Sequence, residues 1–208
     1  KYSLVVASGA YQLVAKANGY KLGKTNVTIA SGSTKQQDLN LLPIPEPFVD
    51  SPSHAIQSKW YNNNAVTFTW APILDATTYY YSFNNSPATD PTAVYQTTGT
   101  GIAFNDYGDG TWYFHLAAID DSGGQSKSVH YKVMIDLTAP AKPVVASNSH
   151  PLEGKPYASS VIQFNFNPAA NETSGADVYY YALDTSSVTV ISTNSASTNL
   201  ANIELPVQ

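Results

Sequence analysis

The sequence predicts an all-β fold of tandem antiparallel β-sandwiches. Composition is the first reason. Of 208 residues, 43% are hydrophobic, only 12% are charged and 15 are Tyr, with Thr, Ser, Asn and Val abundant. β-Branched and aromatic side chains suit a pleated surface. Periodicity is the second: no window joins helix formers to a 3.6-residue apolar period, whereas several short segments alternate apolar and polar residues. Repetition is the third. "SPSHAIQSKWYNNNAVTFTWAP" from Ser51 aligns without gaps to "SNSHPLEGKPYASSVIQFNFNP" from Ser147, a shift of 96 that carries His54 to His150. The runs "TTYYYSF" (Thr77–Phe83) and "DVYYYAL" (Asp177–Leu183) align at a shift of 100, so the second copy holds an insertion around "NETSG". A period of about 100 residues suits one sandwich per repeat.

Proline divides the chain. "LLPIPEPFVDSP" (Leu41–Pro52) and "DLTAPAKPVVAS" (Asp136–Ser147) read as stiff extended connectors. They set boundaries at residues 1–44, 45–139 and 140–208. In the first segment, short alternating stretches separated by "SG", "NGY" and "SGST" are too few to enclose a core. In the repeats, "VTFTW" and "IQFNF" are strands with Val66, Phe68 and Trp70, and Ile162, Phe164 and Phe166, facing inward. The tyrosine runs follow, with Tyr79, Tyr81 and Phe83, and Tyr179, Tyr181 and Leu183, turned to the core. "GIAF" (Gly101–Phe104) and "NIEL" (Asn202–Leu205) are later strands, and "NDYGDG" is a turn. "TWYFHLAAID", the turn "DSGGQ" and "SVHYKVMID" then form a hairpin.

Two resemblances follow from these residues. "GAYQLVAKANGY" and "NVTIASGSTKQQDLNL", through Tyr11, Leu13, Gly19, Tyr20, Gly32 and Leu39, resemble the second half of a carboxypeptidase regulatory-like, transthyretin-like sandwich. "YGDGTWYFHLAAIDDSGGQSKSVHYKVMIDLTAP" (Tyr107–Pro140) resembles bacterial fibronectin type III or immunoglobulin-like surface modules, with Trp112 where the pattern has Tyr and Gly124 where it has Asn. Such modules build adhesins, surface layers, enzyme appendages and stalks. By this analogy the first domain lacks its beginning. The second repeat would end about 28 residues beyond Gln208, short of its last two strands. A fragment of a longer chain, completion by strands from neighbouring copies, and degenerate end domains all stay open. The chain opens on Lys1, so a longer precursor is expected.

Charge and cysteine content exclude several function classes. The net charge is −5, all ten basic residues are Lys, and Cys is absent. Without Arg forks or a basic run, nucleic acid and anionic membrane surfaces are poor partners. Without Cys there is no disulfide, thiolate zinc site or thiol nucleophile. No apolar run reaches the roughly 18 residues of a membrane helix. Sequons stand at Asn26, Asn84 and Asn171, in segments expected as loops.

Candidate sites are few. His54 and His150 recur in "S-x-S-H", either as metal ligands or as polar residues closing the turn into the first strand. His115 and His130 should lie opposite each other and outward across the "DSGGQ" hairpin, able to bind a metal or respond to pH, or simply solvated. Asp106 and Asp109 in "NDYGDG", and Asp120–Asp121, offer carboxylates for calcium, though their spacing fits no calcium loop. No other cofactor is expected. Tyr80 and Tyr180 should point outward, and Tyr80, Tyr113, His115, His130, Lys132 and Tyr180 make up the binding face to look for. No nucleophile elbow, paired carboxylates or phosphate loop is found, so no catalysis is expected.

Three functions remain in view. One is a non-catalytic spacer in a secreted or cell-surface bacterial or archaeal protein, whose partners are the other domains of the same chain. Another is an adhesin module stacking its aromatic face on a glycan or protein. The third is a self-associating filament subunit joined by strand exchange.

Overall fold

The computed structural model describes residues 4–167, 174, 178–186, 189–199 and 202–206. It is all-β, and it forms two compact units, Lys1–Ile135 and Asp136–Gln208.

The first unit opens with a hairpin of β1 (Gly9–Ala15) and β2 (Gly23–Ile29). A sandwich follows, made of β3 (Val49–Asp50), β4 (Trp60–Tyr61), β5 (Val66–Trp70), β6 (Ala76–Asn84), β7 (Gln96–Thr97), β8 (Gly101–Phe104), β9 (Gly110–Asp120) and β10 (Val129–Ile135). One sheet has the order β3-β5-β8 and the other β4-β10-β9-β6-β7. Pairing is antiparallel except for β4, which runs parallel to β10 through Met134–Trp60 and Ile135–Tyr61. Alternation fixes which face is buried: Val66, Phe68 and Trp70 on β5 and Phe114, Leu116 and Ala118 on β9 fill the space between the sheets. Tyr79 joins them, and Tyr81 and Phe83 pack against them. Phe114 lies at the centre, its ring 4.1 Å from that of Phe68 and 6.0 Å from that of Trp70.

Local chemistry bends the ends of these strands. A bulge at Thr77 shifts the register, so that Ala76 pairs with Asp120 and Thr78 with Ile119. In the β9–β10 turn, Asp120 Oδ1 accepts the Ser122 hydroxyl and the N–H groups of Ser122 and Gly124, and Gly123 takes a φ of 73°. Burial acts to raise the Asp120 pKa, but these hydrogen bonds outweigh it and hold the carboxyl below its ordinary value.

The proline-rich stretch after the first hairpin is not a free connector. Ile44, 4% exposed, belongs to the sandwich core. Ile44 N–H donates to Gly19 O at 2.8 Å, and Gly19 N–H donates to Gln125 O at 3.0 Å. An isoleucine among the prolines supplies an apolar anchor that the proline spacing concealed. Asn26 lies on β2, an exposed strand position rather than a loop.

The second unit holds β11 (Val144–Ser147), β12 (Val161–Asn167), β13 (Tyr179–Tyr181), β14 (Ala196–Thr198) and β15 (Asn202–Pro206), in sheets β11-β12-β15 and β13-β14. Its registers repeat those of the first. Val49 pairs with Trp70 as Val145 pairs with Phe166. Val66 pairs with Phe104 as Ile162 pairs with Leu205. Tyr79 pairs with Thr97 as Tyr179 pairs with Thr198. Tyr179 and Tyr181 turn toward Phe166, at 5.4 and 6.4 Å. Leu183, expected in the core, is 46% exposed, because β13 ends at Tyr181.

Candidate functional site

The outer face of the five-stranded sheet is the place to seek a site, because β9 and β10 bring the candidate histidines together there. The register pairs His115 with His130 and, on the other side of β9, with Ser82 of β6. The His115 and His130 Nδ1 atoms are 2.6 Å apart. His130 is exposed, but His115 is fully buried, contrary to the expected solvated pair. The cause is the connection from β6 to β7, which is tied back onto this face. Asn85 Nδ2 donates to Thr111 O, Ser128 Oγ donates to Asp90, and Gln125 Nε2 donates to Pro91 O. Sequence alternation placed His115 on the outer face; it carried no sign that a loop would cover that face.

The hydrogen bonds fix the state of the pair. Asn84 Oδ1 accepts the Ser86 N–H at 2.9 Å, so it is the amide's acceptor atom. His115 Nε2, 3.3 Å from that oxygen, must therefore donate. Its Nδ1 is then a lone pair that accepts the Nδ1–H of His130. Burial first, and the neighbouring His130 second, lower the His115 pKa to about 4, against opposing contributions from the Ser86 backbone and Asp90. The ring is neutral at pH 7. Ser82 Oγ, in the same row across the sheet, is buried without a hydrogen-bond partner among the described residues.

This geometry does not suit a metal. Two nitrogens at 2.6 Å share a proton and leave no room for an ion, whose bonds to nitrogen run about 2.0–2.1 Å each. Among the described residues no group of three or more His, Asp or Glu side chains could hold a metal ion. Asp106, at a φ of 64°, and Asp109 lie on an exposed turn, and Asp120 Oδ1 is spent on its three donors.

The expected aromatic face is divided. Tyr80 pairs with Ala117, four residues along β9 from Tyr113, a span of about 13 Å. Covered His115 lies between them. Tyr80, Tyr113 and Lys132 are half-buried, and Tyr180, 39% exposed, belongs to the other unit. Asn84, one of the sequon residues, holds the loop with its side chain, its Nδ2 donating to Thr89. Asn171 lies outside the described residues.

The "S-x-S-H" motifs form a closed hydrogen-bond knot. Ser51 Oγ donates to Thr67 O at 2.7 Å and accepts His54 N–H. Ser53 Oγ accepts Thr67 N–H and lies 2.8 Å from His54 Nδ1, while His54 Nε2 donates to Asn63 O. Tyr131 Oη donates to His54 O, tying β10 to the knot. Burial lowers the His54 pKa, opposed by its bond to Asn63. The second unit repeats the pattern: Ser147 Oγ accepts His150 N–H, and Ser149 Oγ accepts Gln163 N–H and meets His150 Nδ1 at 2.8 Å. In His54 both ring nitrogens are occupied, which leaves no lone pair for a ligand.

No protein-family model matches the chain, and a comparison with curated proteins finds no match. Among the described residues no helix is long and apolar enough to cross a membrane.

Proposed function

We propose that the chain is a non-catalytic spacer, built of immunoglobulin or fibronectin III-like sandwiches in a secreted or cell-surface protein. Its partners are the other domains of that protein. The supporting observation is that the five strands described in the second unit keep the registers of their counterparts in the first, and that both units carry the "S-x-S-H" knot. Repetition of this kind multiplies length. A unique site is not required for that role, and the side chains with chemical potential are engaged in holding turns and loops. Neutral His115 is locked against Asn84 and His54 against Asn63.

A glycan array and a pull-down from a surface extract, both with the full chain, test this reading. The expected result is silence in both. A saturable glycan or protein ligand that is lost when Tyr80 or Tyr113 is replaced by Ala would replace the spacer with an adhesin module.

A further inference from the structure

The histidine pair has room for one extra proton and no more. As it stands, a single N–H lies between the two Nδ1 atoms, 2.6 Å apart. A proton added to His130 Nε2 leaves that shared N–H in place. A second proton has only His115 Nδ1 to go to, because His115 Nε2 already donates to Asn84. Two N–H groups then face each other at 2.6 Å, and two positive rings repel in a site closed to water. The closure itself is polar. Residues 85–95 are held down through Asn85, Asp90 and Pro91 by hydrogen bonds to Thr111, Ser128 and Gln125. Among the described residues, none of 85–95 belongs to the sandwich core. Closure also leaves Ser82 Oγ, opposite His115 on β6, buried and without a hydrogen-bond partner among the described residues. A dry hydroxyl of this kind works against the closed state.

We propose that His115 and His130 form an acid-operated latch: when both rings carry charge, residues 85–95 lift from the outer face of the five-stranded sheet while the sandwich stays folded. Lifting admits water to His115 and Ser82. It also joins the outer face from Tyr80 to Tyr113, which covered His115 divides at neutral pH. The core side chains Phe114 and Leu116 lie on the opposite face of β9 and keep their packing. The charged and titratable groups around His115 are His130 and Lys132 on β10, Tyr113 on β9, Tyr80 on β6 and Asp90 in the covering segment. Asp90 favours a charged His115, but burial, first, and His130, second, outweigh it. Folded and covered, His115 takes its proton at about pH 4; uncovered, it takes it near the ordinary 6.5. Opening is therefore favoured as pH falls between these values, by up to about tenfold per pH unit. The latch does not depend on the spacer reading, and neither fails with the other.

The test uses Ser82→Cys in the full chain, a near-isosteric change at a buried position in a protein without Cys. The rate at which a disulfide reagent labels the introduced thiol, divided by its rate in the urea-unfolded chain at the same pH, gives the fraction open. Expected is a rise of about a hundredfold from pH 6.5 to 4.5 that low urea does not change, since local opening exposes little surface. Adding His115→Gln, which keeps a donor and an acceptor but gains no proton, should flatten the rise. Adding His130→Gln, at an exposed position that tolerates exchange, should shrink it, because a side-chain amide can accept from a protonated His115. Labelling that is independent of pH, a rise unaltered by either histidine variant, or a rise as steeply urea-dependent as global unfolding overturns the proposal.

Discussion

His115 is the residue whose environment departs most from what its outward-facing position on β9 implies. Its folded pKa lies below the ordinary 6.5, so between about pH 4 and 6.5 the unfolded chain binds more protons than the folded one. Stability is therefore full above about pH 6.5 and is lost as pH falls toward 4. Urea unfolding across this range should show the decline, and His115→Gln should lessen its slope by up to about 1.4 kcal/mol per pH unit. A slope unchanged in the variant would remove His115 as a cause. His54 acts in the same direction and should account for part of what remains. Gly124 is constrained by space. A Cβ there would stand 2.8 Å from Ile44 Cδ1 and 2.9 Å from Asp120 Oδ2. Gly124→Ala should cost about 1–3 kcal/mol by overpacking, read as a lower urea midpoint at unchanged m-value.

At the scale of elements, the knot before β5 is the feature the two units share most closely. Ser53→Ala removes the acceptor for Thr67 N–H and the partner of His54 Nδ1, and should destabilise the first unit by about 1–3 kcal/mol. Ser149→Ala should do the same to the second unit through Gln163 and His150, without affecting the first. Tryptophan fluorescence reports the first unit alone, because Trp60, Trp70 and Trp112 all lie there, and it separates the two outcomes. The longer strands were legible in the sequence because period-two alternation persists through "VTFTW", "GIAF" and "TWYFHLAAID". β3, β4 and β7 were not, since two residues carry no period. Of the candidate site, the facing of His115 and His130 could be read from hairpin register. Burial of His115 could not, because the covering loop is recognised by its hydrogen bonds to Thr111, Gln125 and Ser128 rather than by any pattern of its own.

For the whole molecule, the two units should differ in how readily they open. The first has a core closed around Phe114; the second exposes Val144, Val145, Leu183 and Ile191. Hydrogen exchange is expected to be slowest in β9 and β10 and markedly faster in β11–β15. Equal protection in the two would show that these exposed apolar side chains add no lability. The parallel pairing of β4 with β10 carries a mechanical consequence. β4 runs alongside the last residues of β10, and β9 flanks the same residues, so Met134 and Ile135 are gripped from both sides. A pull on the chain where it leaves this unit runs along β10 and perpendicular to those hydrogen bonds, which then bear the load together in shear. They would have to rupture as a group instead of peeling one at a time. β4 is a clamp of two residues at the point where tension would enter the fold.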